Sequence, residues 1–220
     1  MVLAQRLGDW ISRAPELEED IALGNIALDH LGVARALYTL AGAVEGRGRD
    51  EDELAMFRSE REFLNLLLVE QPNGDFAHTM VRQFLLDGYQ IQLWEDLSTS
   101  DEVELAGIAG RALKEARYHF RHSSGWVIRL GDGNEESSQR AQAAVDSLWQ
   151  YTDEMFQDDT AGYRVAWELV VMSVLAEAGL TIPEDPYQRL GGRRGLHSEH
   201  LGLLLAEMQW MQRSYPGLKW

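Results

Sequence analysis

Apolar residues in this chain recur every three or four positions, in long segments separated by clusters of glycine, proline and asparagine. That period suits one face of an α-helix and not a half-buried strand. A first short helix is predicted to run to about Arg13. Pro15 opens a second, with Glu16, Glu18, Glu19 and Asp20 at the positive end of its dipole, and it continues through Ile21, Ile26, Leu28, Leu31 and Leu37 to about Val44. A third covers residues 51–70 and stops at Gln71–Pro72–Asn73–Gly74, a strong turn signal. Asp75 caps a fourth, to about Leu97, and the cluster Ser98–Thr99–Ser100–Asp101 caps a fifth, to about Leu130. A sixth spans residues 135–156, a seventh 163–178, and a last one 197–213 after a non-helical stretch at 179–195. About eight helices joined by short turns predict an all-α, antiparallel bundle. No linker divides residues 1–220, so one domain is expected.

Composition removes several classes of function. The chain has no cysteine, which excludes disulfides, thiolate zinc sites, iron–sulfur ligation and thiol catalysis, and suits a reducing cytoplasm. A net charge of −16 argues against nucleic acid, which needs a basic face, and for solubility or steering toward a basic protein surface. No apolar run reaches the length of a membrane span, and the first ten residues lack the continuous apolar core of a signal peptide.

Four helical segments each carry a carboxylate near the middle: Asp29, Glu60 (or Glu62), Asp87 and Glu115. Ferritin-like di-iron bundles place one Glu on each of two helices and a Glu-x-x-His pair on each of the other two. Here the third residue after Glu60 is Phe63, and the third after Glu115 is Tyr118; His119 falls one place too late. Asp75 and His78 have the right spacing but begin a helix straight after a turn. The chain thus reads as a di-iron scaffold without its histidines. Asp29, Glu60, Asp87, Glu115 and His119 are candidates for a vestigial site, or else ordinary polar and salt-bridged positions pairing with Arg35, Arg61, Arg82 or Arg117.

His119 with His122, and His197 with His200, form His-x-x-His pairs that lack a recognisable third zinc ligand. No nucleophile elbow, phosphate loop or dinucleotide fingerprint is present. The run Gly191–Gly192–Arg193–Arg194–Gly195–Leu196–His197 is glycine-rich and basic in an acidic chain, and it leads into a helix. It is either a solvated loop or a contact for an anion or an acidic partner through Arg193, Arg194 and His197. Trp94, Trp126, Trp149 and Trp167 read as core, whereas Met208, Trp210, Met211, Tyr215 and Trp220 form an aromatic-rich end suited to docking.

Several stretches resemble one family. They are Leu3–Ala4–Gln5–Arg6–Leu7–Gly8, Ala14–Pro15–Glu16–Leu17–Glu18, residues 65–76 (NLLLVEQPNGDF), 114–119 (KEARYH), 195–202 (GLHSEHLG) and 205–209 (LAEMQ). Together they resemble the C subunits of the ring-1,2-phenylacetyl-CoA epoxidase, in the phenylacetic acid catabolic protein family. The resemblance implies a ferritin-like fold without iron ligands, and a structural role beside a catalytic A subunit. That A subunit holds the di-iron centre and binds phenylacetyl-CoA. A reductase with flavin and an iron–sulfur cluster delivers electrons from NADPH, and one atom of O2 enters the ring as the 1,2-epoxide. Compared with that family, an N-terminal extension is expected to be short or absent, and the segment between Phe156 and Tyr163 to be shortened.

Two functions therefore compete. One is a cytoplasmic, non-catalytic subunit that is inactive alone and carries no cofactor. It would assemble with the A subunit, self-associate within a hetero-oligomer, and touch the reductase or the CoA substrate. The other is an autonomous ferritin-like metalloenzyme using Asp29, Glu60, Asp87, Glu115 and His119.

Overall fold

The computed structural model describes residues 1–157, 162–184 and 187–217. Among these residues the regular structure is helical throughout: α1 (Val2–Gly8), α2 (Leu17–Glu45), α3 (Glu51–Met56), α4 (Leu67–Glu70), α5 (Phe76–Leu97), α6 (Val103–Gly131), α7 (Glu135–Leu148), α8 (Tyr163–Glu177) and α9 (Glu199–Ser214). Short 3-10 turns lie at Glu60–Glu62, Trp149–Tyr151, Asp153–Phe156 and Gly192–Arg194. No described helix is long and apolar enough to cross a membrane. The segment expected to be shortened after Phe156 lies mostly outside the described residues, as does Trp220.

The chain divides into two compact units, Met1–Pro72 with Gly191–Trp220, and Asn73–Leu190. In the second unit α5 is central. It packs extensively on α6 and also on α7 and α8. A five-residue link between two such closely packed helices makes α5 and α6 antiparallel. Side chains are buried all round α5 from Ala77 to Tyr89, as a core helix requires. Phe156 meets Trp167 edge-on at 5.1 Å between ring centres, and Trp149 packs on it in a tilted arrangement at 5.7 Å. The Trp167 indole N–H donates to the Leu85 carbonyl at 2.8 Å, so this large ring is buried without an unsatisfied donor. Asp75 caps α5 by accepting from the His78 amide, as its position predicts.

In the first unit α1 packs on α2, and α9 lies against α1, α3 and α4. Here the third predicted helix is wrong. Residues 51–70 form two short helices and a 3-10 turn. The cause is competition for backbone groups. Gln209 of α9 donates to the carbonyls of Ala55 and Arg58, and Arg213 donates to those of Met56 and Arg58, which ends α3. Ser59 and Glu62 then form a reciprocal capping box that starts the 3-10 turn. Glu60 is consequently not a mid-helix carboxylate; it sits exposed on that turn.

The sixth predicted helix is shortened in the same way. It ends at Leu148 because the Trp149 carbonyl accepts from Thr152 and Gln188, and the Gln150 carbonyl accepts from the Arg189 amide. Two caps also move. Pro15 precedes the cap of α2 rather than opening its first turn, and Glu102 occupies the cap of α6. Ser98 and Thr99 instead close the end of α5 by donating to the Glu95 and Asp96 carbonyls.

Candidate functional site

Among the described residues three carboxylates are completely buried: Glu70 in the first unit, and Asp87 and Glu154 in the second. Asp87 lies midway along α5 and faces α6. Gln83, one turn earlier, donates to one oxygen at 3.0 Å, and the Ser123 hydroxyl of α6 donates to the other at 2.8 Å. His119 lies one turn before Ser123, is itself buried, and has a ring nitrogen within 4.8 Å of the Asp87 carboxylate. Both donors to Asp87 are neutral. Burial therefore dominates and pushes its carboxyl well above the usual carboxylate range, with only partial relief from Ser123 and Gln83. Glu115 is half-buried one turn before His119, and Asp29 is half-buried on α2 of the first unit.

These residues do not fit a two-iron centre. Asp87 accepts one hydrogen bond on each oxygen, from Gln83 and from Ser123. Tyr118, in the place of the motif histidine, is 52% exposed and lies under the Arg121 guanidinium at 5.3 Å, on the outside of α6. Glu60, the fourth expected carboxylate, is on the exposed turn.

In the first unit the buried carboxylate is Glu70, at the end of α4. One of its oxygens accepts from the Ser198 amide at 2.6 Å. The other meets the Asn65 side-chain amide at 3.1 Å and the His197 Nδ1 at 3.0 Å. The second ring nitrogen of His197 lies 2.8 Å from the Phe63 carbonyl, which can only accept, so that nitrogen carries a proton. The His197 and Glu70 side chains both have 0% exposure. Arg6 of α1 adds a bond to the Glu70 carbonyl at 2.6 Å. Glu70 thus gathers α4, the 59–66 segment and the start of α9 through its side chain, and α1 through its carbonyl.

The sequence leaves the run that ends at His197 either as a solvated loop or as a contact for an anion or an acidic partner. His197 itself is turned inward and consumed by Glu70 and Phe63. Arg193 is half-buried and Arg194 exposed, on the 3-10 turn just before it. Gly195 holds that turn with φ +74°, and a Cβ there would collide with the Arg61 carbonyl. Next to the turn, Ser59, Glu60, Arg61, Gly195, Leu196 and His197 line an open cleft of about 420 Å³. Sequence reasoning missed Glu70, Gln83 and Ser123. A signal existed for Glu70: it is a lone acid closing the apolar run Leu66–Leu67–Leu68–Val69.

The comparisons with known proteins agree with this architecture. The family model described as "Phenylacetic acid catabolic protein" matches residues 1–220. A relative from Escherichia coli (strain K12), the C subunit of its 1,2-phenylacetyl-CoA epoxidase, is 47% identical, over 100% of this chain and 94% of its own length. The family's helical, ferritin-like fold class is the one found here. The chain is a member of the phenylacetic acid catabolic protein family.

Proposed function

We propose that this chain is the non-catalytic C subunit of a cytoplasmic 1,2-phenylacetyl-CoA epoxidase, and that it supports a catalytic A subunit in which the di-iron centre lies. The observation that carries the non-catalytic reading is Asp87. It occupies a mid-helix carboxylate position, and both its oxygens are satisfied by Gln83 and Ser123. A hydrogen-bonded acid holds the helices together where a catalytic relative needs an open metal site. Arg194, with Arg193 beside it, is assigned to contact with the A subunit or with the phosphates of CoA. The two compact units form one ferritin-like domain in this reading and unfold together.

Exposed apolar side chains on α8 suit a protein partner. Val165, Leu169 and Met172 follow one another at helical spacing and are all exposed. Buried against an A subunit, they would supply the apolar centre of a stable interface.

Co-expression with the epoxidase A subunit tests the assignment. The expected result is a co-purifying complex whose iron, about two ions per pair of chains, stays with the A subunit on separation. This chain alone, loaded with Fe(II) without oxygen and desalted, is expected to retain no stoichiometric iron. Retention of about two ions with oxygen consumption would restore the metalloenzyme reading instead.

A further inference from the structure

Helix α6 has two unlike faces. One is buried, through Ile108, Ala112, Ala116, His119 and Ser123. The opposite face carries Gly107, Arg111, Lys114, Tyr118, Arg121 and Gly125, with Arg117 at its edge. These six positions step by four, three, four, three and four residues, the row along which one helix lies on another. All four large side chains of the row are exposed, as is Arg117. The chain as a whole has 36 acidic and 20 basic residues, yet from Gly107 to Gly125 its one acid is Glu115, which is half-buried.

The row does not serve the chain's own fold. Arg111 and Lys114, Lys114 and Arg117, and Arg117 and Arg121 are like charges three or four residues apart, which repel on an exposed helix. They lie in the middle of 29 residues, too far from the C-terminal end for the helix dipole to favour them. Glu95 of α5 offsets Arg117, at 3.0 Å in an exposed pair. Among the described residues the side chains of Arg111 and Lys114 meet no acid, and that of Arg121 lies over the Tyr118 ring at 5.3 Å.

We infer that this face docks an acidic helix of a further protein partner, held by charge rather than by apolar burial. Tyr118, 52% exposed between Lys114 and Arg121, gives the contact its aromatic centre, and tyrosine and arginine are the residue types that carry such contacts. Nothing lies within 4 Å of where a Cβ on Gly107 or Gly125 would stand, so a helix can approach closely at both ends of the row. A convex helix face offers a small phosphate ligand no cleft to enclose it. A chain of charge −16 repels an acidic partner over most of its surface, so this face also fixes the orientation of approach. The apolar α8 face remains for the A subunit, and docking on α6 does not depend on the proposed epoxidase role.

The full chain and a labelled acidic peptide test this. The peptide is helical, about three heptads long, with glutamate at the two positions of each heptad that would face α6. Fluorescence anisotropy should show binding that weakens steeply as salt is added. Arg111→Glu with Arg121→Glu should weaken it at least ~10-fold. Arg13→Glu with Arg47→Glu, at exposed positions in the first unit, changes the net charge equally and should alter binding by less than ~2-fold. Arg111→Gln with Arg121→Gln should hold or raise the Tm, because it relieves repulsion. A fall in Tm would give the row to the fold and overturn the inference. So would an absence of peptide binding, an equal loss in both charge-reversed pairs, or equally tight binding of a single-stranded oligonucleotide of the same charge. If reversal on α6 instead abolishes co-purification with an A subunit, or self-association of the chain, the face belongs to that contact and the further partner is excluded.

Discussion

Asp87 and Glu70 are both carboxylates with no exposure, yet they are solvated by the protein in opposite ways. Glu70 receives an imidazole, a backbone amide at a helix start and an asparagine amide. Asp87 receives a hydroxyl and a glutamine amide. The first environment ties together segments far apart in the chain. The second leaves desolvation in command and keeps the proton on the acid. The mid-helix carboxylate thus has the weaker support, and Glu70, at the end of a four-residue helix, is the one that joins distant segments.

Removing each acid should separate the two cases. Glu70→Ala strands the Ser198 amide, the Asn65 amide and His197 in a dry interior. Breaking one side of a buried pair typically costs about 3–5 kcal/mol. Urea unfolding followed by circular dichroism should show that loss, with Glu70→Gln intermediate because it keeps an acceptor. A Glu70→Ala loss below about 1 kcal/mol would mean that the cluster is incidental.

Asp87→Asn should do the reverse at neutral pH. The unfolded carboxyl ionises near 3.8, and the folded one is raised well above that. Below the unfolded value both states are protonated and the acid exacts no penalty. As pH climbs past it, the unfolded chain releases its proton while the folded chain keeps it, so stability falls by about 1.4 kcal/mol per pH unit until the folded carboxyl ionises. Asparagine cannot ionise and escapes that fall. Stability differences between the two proteins, measured from pH 4 to pH 7, should move in favour of Asp87→Asn as the pH rises. A flat difference would place the Asp87 charge in a better-solvated environment than its two neutral donors provide.

The contrast also shows where sequence reading reaches its limit. Helices set by their own pattern and caps were legible: α5 with Asp75 before it, α6 by its apolar period, and α2 up to its left-handed stop at Gly46. Failures occurred where another segment takes the backbone groups. The apolar spacing of residues 51–70 is helical, but nothing local reveals that Gln209 and Arg213, about 150 positions later, will bind the carbonyls of 55–58. Gln188 and Arg189 do the same at Trp149 and Gln150. The candidate site divides on the same line. Asp87 and His119 were found because they lie on regular helices at readable spacing. Ser123 and Gln83 were not, since serine and glutamine carry no ligand signal. Glu60 was misplaced because its helix does not exist.

Helix caps give the smallest and most even test of the two units. Asp50 caps α3 in one unit, with Glu53 returning a bond to the Asp50 amide, and Asp75 caps α5 in the other by accepting from His78 at 2.8 Å. Replacing an N-cap acid by alanine costs roughly 1 kcal/mol. The two losses are not expected to be equal here. α3 has six residues and its far end is held by α9, so loss of its cap can be absorbed by fraying one turn. α5 is the core of its unit, and its first turn cannot fray without uncovering Ala77 and Met80. Asp75 also lies 3.5 Å from Arg140 of α7, although that exposed pair contributes little. Asp75→Ala should therefore cost about 1–2 kcal/mol and Asp50→Ala about 0.5–1 kcal/mol. If one domain unfolds as a unit, each loss shifts a single transition. Two separable transitions, with Asp75→Ala moving only one of them, would show that the units fold independently and that Glu70 and Asp87 anchor different domains.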